Sequence, residues 1–229
     1  MQIKGLQKLT LLDYPERTAC TVFLGGCNLR CPFCHNASLV LPEKFGESIP
    51  RDEFFAFLSS RIGKLEGVCI SGGEPTLQCE LVDFIKEIKN MGFLVKLDTN
   101  GTNPDMLESL ISARLVDYVA MDIKSSLDGY VAAVGISDFD TSSIERSIGI
   151  LRRGEVDFEF RTTVVFGLHT EENIENTAKW LAGEEKYFLQ TFEDSGDVLK
   201  SGFSGYSKAV MQHFLEVVRK FIPLAQIRN

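Results

Sequence analysis

The sequence predicts an α/β protein whose parallel strands alternate with helices lying outside them, and three observations carry that expectation. Short apolar runs of strand length alternate with stretches whose apolar residues recur at helical spacing. About six such strand–helix units follow one another, fewer than the roughly eight of a closed barrel, and a doubly wound sheet is not excluded at this point. The residues able to do chemistry gather after successive strands, where parallel architectures open their active-site face.

Each element has its own signature. Residues 18–24 are a near-continuous apolar run ended by Gly25-Gly26. Pro50 opens a helical pattern with Phe54, Phe55, Leu58 and Ile62 toward one side. Residues 67–70 read as a short buried strand, followed by the turn Ser71-Gly72-Gly73-Glu74-Pro75. Leu81, Phe84, Ile85, Ile88 and Met91 repeat at helical spacing until Gly92 stops them. Strand 93–97 precedes a helix marked by Met106, Leu107, Leu110 and Ile111. Strand 117–121 precedes a loop and a helix with Ile144, Ile148 and Leu151. A longer strand covers 156–165, with Ile174, Ala178 and Leu181 on the helix after it. Residues 187–191 are the last buried strand, and Tyr206, Val210, Met211, Phe214, Val217, Val218 and Phe221 form the clearest amphipathic helix. No linker, repeat or composition shift divides the chain, so residues 1–229 read as one domain.

Composition narrows the function classes. With 44% hydrophobic and 24% charged residues, 19 Gly and 7 Pro, the chain is neither disordered nor collagen-like. Lys and Arg total 24 against 32 Asp and Glu, a net charge of −8 with no basic run, which disfavours a nucleic-acid partner. No apolar stretch approaches the roughly 20 residues of a membrane span, and the first residues lack the layout of a signal peptide. A cytoplasmic protein without a membrane partner is expected.

Of the six cysteines, Cys20 and Cys69 sit among apolar neighbours and read as buried small hydrophobes, while Cys79 opens or packs a helix. Cys27, Cys31 and Cys34 crowd together. Their spacing would suit one helical face, but Gly25, Gly26 and Pro32 break a helix there, so the stretch reads as a loop that wraps around something. Structural zinc wants four ligands, and His35 is awkwardly adjacent to Cys34. An iron–sulfur cubane held by three thiolates fits better, because it leaves one iron for a non-protein ligand.

Cys27, Cys31 and Cys34, with Phe33 just before the last, resemble the signature of the radical S-adenosylmethionine superfamily, and Ser71-Gly72-Gly73-Glu74-Pro75 resembles its GGEP motif. The opening Gly5-Leu6-Gln7-Lys8-Leu9-Thr10-Leu11-Leu12-Asp13-Tyr14-Pro15 is more specific. Together with Leu97-Asp98-Thr99-Asn100-Gly101 and Met121-Asp122-Ile123-Lys124, it is similar to the glycyl-radical-enzyme activases, in particular the longer type of anaerobic ribonucleoside-triphosphate reductase activating proteins. The resemblance runs from about residue 5 to about residue 167. It implies a partial (βα)6 TIM-like barrel, which agrees with the count of units.

The resemblance also implies a chemistry. A [4Fe-4S] cluster would reductively cleave S-adenosylmethionine, and the 5′-deoxyadenosyl radical would generate a glycyl radical on a partner enzyme of the anaerobic ribonucleotide reductase or pyruvate formate-lyase type. An external one-electron donor of the flavodoxin or ferredoxin type would supply the electron. Cys27, Cys31 and Cys34 would hold three irons. Gly72 and Gly73 would let backbone approach the methionine moiety, Glu74 would attract its ammonium group, and Phe33 and His35 would lie beside the cofactor. Asp98, Thr99 and Asp122 could help bind a monovalent cation, Asn100 adds oxygen at the same strand end, and Lys124 could meet the methionine carboxylate. Arg161, a charge inside an apolar strand, either pairs with a carboxylate such as Asp122 or faces the cavity near the nucleoside; Lys124 and Arg161 are the candidate catalytic residues.

Plain readings stand beside these. The Gly72–Pro75 and Thr99-Asn100-Gly101 stretches suit ordinary turns, and His35 could be a surface histidine. His169 and His213 carry no such context, and Trp180 reads as packing. The histidine that pyruvate formate-lyase activases place after the last barrel strand is missing from Leu189-Gln190-Thr191-Phe192-Glu193-Asp194, and no second cluster is expected. The alternatives to an activase are a radical enzyme acting on a small molecule, similar to 7-carboxy-7-deazaguanine synthase, and a non-enzymatic metal-cluster module. Residues 194–205 are the one candidate lid.

Overall fold

Apolar period predicts the secondary structure well, because nearly every apolar run has an element to cover. The computed structural model describes residues 1–228. In chain order it contains β1 (Ile3–Thr10), β2 (Ala19–Leu24), α1 (Ala37–Val40), α2 (Arg51–Ser59), β3 (Gly67–Gly72), α3 (Leu81–Asn90), β4 (Leu94–Thr99), α4 (Pro104–Ser112) and β5 (Tyr118–Asp122). There follow α5 (Tyr130–Val134), α6 (Ser142–Arg152), β6 (Asp157–Val164), α7 (Glu171–Trp180), β7 (Tyr187–Thr191), α8 (Lys208–Arg219) and β8 (Gln226–Arg228). The chain divides into two compact units. One comprises Met1–Asn28, Ser38–Ala120 and Ser143–Asp157; the other comprises Leu29–Ala37, Met121–Ser142 and the chain from Phe158 onward.

In the first unit the strands follow chain order, β1-β2-β3-β4. Strand β1 runs antiparallel to β2 with Leu6 opposite Val22, whereas β2, β3 and β4 are parallel, with Leu24 beside Gly72 and Ile70 beside Leu97. That register brings the carboxyl ends of three consecutive strands to one edge, where their loops leave together. Val22, Leu24, Val68, Ile70, Val95 and Leu97 are fully buried, as are Leu81, Phe84, Ile85 and Ile88 on the inner face of α3. Helix α3 stops because Gly92 takes a left-handed φ of 90°, as its position after the last apolar residue predicts. Ile62 departs from expectation: α2 ends at Ser59, so Ile62 lies beyond the helical face and is 57% exposed. Strand β1 was not expected, since Gly5, Gln7 and Lys8 interrupt its alternation and its pairing with β2 carries two register shifts.

In the second unit β6, β7 and β8 are parallel, with Thr162 beside Leu189 and Leu189 beside Ile227. Phe160, Val164, Tyr187, Leu189, Ile174, Ala178 and Val218 fill its core. Helix α7 begins in a reciprocal cap, with Thr170 Oγ1 accepting from Asn173 N while Asn173 Oδ1 accepts from Thr170 N. The short β8 is fastened by a forked ion pair from Arg228 to the buried Glu159, at 2.5 and 2.9 Å, with the guanidinium lying over the Phe188 ring. Three residues reading Gln-Ile-Arg carry no pattern of their own, which is why β8 escapes the sequence. Among the described residues no helix is long and apolar enough to cross a membrane.

Candidate active site

The first unit holds Cys27 and two turns that follow its strands. Gly72 and Gly73 leave no space for a side chain. A Cβ on Gly72, whose φ is 121°, would lie 2.2 Å from Leu24 O, and one on Gly73 would lie 2.0 Å from Gly26 O. These glycines therefore admit the backbone at the start of the cysteine loop. Two hydrogen bonds fasten that approach, Gly73 N to Leu24 O at 2.9 Å and Glu74 N to Gly26 O at 2.8 Å.

Glu74 is held between two turns. Its side chain is fully buried and accepts from Thr76 N (3.1 Å), Thr76 Oγ1 (2.5 Å), Thr99 Oγ1 (2.8 Å) and Asn100 N (2.6 Å). Burial pushes its carboxyl above the usual range, against the pull of those donors. Glu74 thus clasps the turn after β3 to the turn after β4. Asp98 accepts from Ser71 Oγ at 3.0 Å and pairs with the buried ammonium of Lys96, which also lies 3.8 Å from Cys69 Sγ. Asn100 reaches the first cysteine, with Nδ2 3.8 Å from Cys27 Sγ.

The second unit holds Cys31 and Cys34, closed into a turn by Cys34 N to Cys31 O at 2.9 Å. Cys31 is buried and Cys34 half-buried. A strap from residues 195–200 fixes this turn: Leu199 N donates to Cys34 O and Lys200 N to Pro32 O, both at 2.9 Å, while Ser195 Oγ donates to His35 O at 2.8 Å. On its other flank Arg30 N donates to Val134 O at 2.9 Å, and a Cβ on the left-handed Gly135 would strike Arg30 O at 2.2 Å. Phe33 is buried edge-on to His169 and Phe192, so its ring serves packing. His35 is exposed.

Asp122, at the end of β5, is flanked by two cations. Arg161 Nε donates to Oδ1 at 2.9 Å and Lys124 Nζ to Oδ2 at 3.1 Å. Of the two fates expected for Arg161, the pairing with Asp122 is therefore formed. Burial pushes Asp122 up, but Arg161 and Lys124 outweigh it and hold the carboxyl well below the usual carboxylate range. Burial likewise opposes the charge on Lys124, yet Asp122, and a smaller contribution from Cys31, keep it above the ordinary lysine range.

Two buried residues escaped the sequence reading. His169 accepts from Val165 N at Nδ1 (3.0 Å) and faces Lys124 O with Nε2 (2.8 Å). A backbone N–H can only donate and a carbonyl only accept, so the ring is the neutral Nε2–H tautomer, and burial pushes its pKa down. Nothing local in Gly167-Leu168-His169-Thr170 signals this. Lys96 did carry a signal, a lone charge inside the apolar run Leu94-Val95-Lys96-Leu97.

The donor set can be tested against the group that the motif suggests. Cys27, Cys31 and Cys34 lie on a stretch with neither helix nor strand, and all three are thiols outside any disulfide. Cys20, by contrast, is fully buried in β2, and burial pushes its thiol up to about 12, unsuited to metal ligation. Among the described residues no three His, Cys, Asp or Glu side chains gather as a cage for a single metal ion. In donor chemistry, three thiols on one irregular stretch suit an iron–sulfur cluster, which takes one thiolate at each iron.

The comparisons with known proteins agree with this chemistry. The Radical SAM superfamily matches residues 21–181. A protein of Methanocaldococcus jannaschii, named provisionally as a glycyl-radical enzyme activating enzyme, is 37% identical over 83% of this chain and 80% of its own. The pyruvate formate-lyase-activating enzyme of Clostridium pasteurianum is 33% identical over 58% of this chain and 57% of its own. A 7-carboxy-7-deazaguanine synthase of Methanospirillum hungatei is 30% identical over 67% and 62%. In fold, the crystal structure of a radical SAM methyltransferase from Sphaerobacter thermophilus superposes with a TM-score of 0.74 at 20% identity, covering 96% of this chain and 68% of that one. Three thiols on one irregular loop, the parallel α/β fold and the match along most of the sequence have one explanation: this chain is an enzyme of the radical S-adenosylmethionine superfamily.

Proposed function

We propose that the enzyme is a glycyl-radical-enzyme activase. The observation that carries this reading is the loop of Cys27, Cys31 and Cys34, held by backbone hydrogen bonds, in a chain so similar over most of its length to the M. jannaschii relative. A [4Fe-4S] cluster with S-adenosylmethionine would supply the reductive cleavage, giving a 5′-deoxyadenosyl radical that takes hydrogen from a glycine of a partner enzyme of the anaerobic ribonucleotide reductase or pyruvate formate-lyase type. This chain's residues do the placing. Cys27, Cys31 and Cys34 each bind one iron. Lys124, kept charged by Asp122, meets the methionine carboxylate, and Arg161 holds Asp122 for that task. Glu74 fixes the two turns that line the methionine side, and Asp98 and Thr99 offer oxygens for a monovalent cation. An external flavodoxin or ferredoxin delivers the electron.

The experiment is anaerobic. The protein is reconstituted with iron and sulfide, reduced and given S-adenosylmethionine, and 5′-deoxyadenosine is sought by mass spectrometry. A glycyl radical doublet in the electron paramagnetic resonance spectrum of a co-incubated partner completes the test. The similarity to 7-carboxy-7-deazaguanine synthase supports a second reading, in which the hydrogen donor is a small molecule. Deoxyadenosine formed without any protein radical, and faster when a small-molecule substrate is added, would favour it.

A further inference from the structure

The orientation of the Asn100 amide is fixed by its neighbours. Thr102 N donates to Asn100 Oδ1 at 3.0 Å, and because a backbone N–H can only donate, that atom is the oxygen. The nitrogen is therefore the atom that points to Asn28 Oδ1 at 3.2 Å and to Cys27 Sγ at 3.8 Å. The ring of bonds closes consistently. Thr102 Oγ1 donates to Asn100 Oδ1 at 2.7 Å and accepts from Asn28 Nδ2 at 2.9 Å. Asn100 itself is only 5% exposed, and its backbone N–H is held by Glu74.

We propose that Asn100 is a positioning residue for the iron centre, donating a hydrogen bond to the Cys27 sulfur and thereby raising the reduction potential of the cluster. The proposal rests on reading Cys27 as an iron ligand. An N–H directed at a thiolate withdraws electron density from the sulfur, and this favours the reduced cluster, which carries one more negative charge. Asn28 and Thr102 keep the amide from turning its oxygen to the sulfur, an orientation that would act in the opposite sense. Asn100 thereby acquires a role distinct from that of a cofactor or cation ligand.

The test is a redox titration of the reconstituted protein, followed by electron paramagnetic resonance without S-adenosylmethionine. Asn100→Ala removes the donor, and Asn100→Asp keeps the shape and the acceptor while placing a negative oxygen near the sulfur. Both are expected to lower the midpoint at unchanged iron content, Asn100→Asp by about tenfold in the reduction equilibrium, about 59 mV for one electron. Should either variant fail to fold, Asn28→Ala, which leaves the amide untethered, is expected to shift the midpoint in the same direction by less. A midpoint unchanged in cluster-bearing variants overturns the proposal and leaves the active-site reading intact. A wild-type protein that takes up no cluster overturns both.

Discussion

His169 and Lys124 are joined through the lysine's carbonyl oxygen, 2.8 Å from His169 Nε2. The bond needs a neutral ring, because Nδ1 is occupied as an acceptor by Val165 N. Burial lowers the folded pKa below the ordinary value of about 6.5, so in the window between the two the unfolded chain binds more protons. This contribution to stability is complete above about pH 6.5 and lost as pH falls toward the lowered folded pKa. Replacing His169 with Phe should cost about 2 kcal/mol at pH 7.5, where two buried backbone groups lose a partner. The deficit should shrink at pH 5.5, as read from urea unfolding curves. Parallel pH profiles for the two proteins would show that the ring does not titrate in this way.

Glu74→Gln is nearly isosteric but turns an amide N–H₂ toward a donor. With Thr76 and Thr99 on one oxygen and Asn100 N on the other, no orientation of the amide suits them all. A loss of about 1–3 kcal/mol in unfolding free energy is expected. Stability equal to wild type would mean that the carboxyl is protonated and donating.

Gly73 and Gly149 make a contrasting pair. Alanine at 73 would press its methyl into Gly26 O, backbone that has no room to move, and should lower the melting temperature steeply or prevent folding. Gly149 sits exposed within α6 with nothing within 4 Å of its missing Cβ, so alanine there should stabilise by about 0.5–1 kcal/mol. Differential scanning calorimetry of both variants tests the two signs at once.

Asp122→Asn should leave Arg161 and Lys124 facing each other across a neutral amide. Charge-assisted bonds of this kind are worth about 1.5–3 kcal/mol, and the partly exposed site puts the cost toward the lower figure. S-adenosylmethionine affinity, measured on the cluster-bearing protein, should fall as well. Arg161→Lys should lower stability as well, since it removes the guanidinium Nε that donates to Asp122 Oδ1.

The strap is testable through one donor. Leu199→Pro removes the N–H that holds Cys34 O. Hydrogen exchange across residues 31–35 should quicken about tenfold, the factor worth roughly 1.4 kcal/mol, while α7 remains unchanged. Exchange that stays slow would assign the turn's rigidity to Arg30 and Gly135 instead.

Much of this was legible in the chain itself. Leu81, Phe84, Ile85 and Ile88 carry enough apolar period to place α3 within a residue of its ends, and residues 187–191 coincide with β7. Elements stabilised from outside themselves were silent: β1 leans on its pairing with β2, and β8 on the Arg228 fork to Glu159. At the site, side-chain type announced which residues matter but not what they touch. Glu74 reads as an acid on a turn that would meet an ammonium group, and its full burial, with donors from two distant turns converging on it, has no local signal. Arg161 could be narrowed to two partners by the cost of an unpaired buried cation, but only the fold brings Asp122 to it. His169 is unremarkable until Lys124, 45 positions away, supplies its acceptor.

The strap also has a consequence for the order of events during synthesis. Ser195 meets His35 across a separation of 160 residues, and the donors of Leu199 and Lys200 come from the same late segment. On a ribosome the thiols therefore emerge early and wait, without the strap's bonds, until residues 195–200 have left the tunnel. A nascent chain stalled just after β7 would display all three cysteines without any of those bonds. Iron delivered at that moment would meet loose thiols, whereas iron delivered after release would meet a held loop.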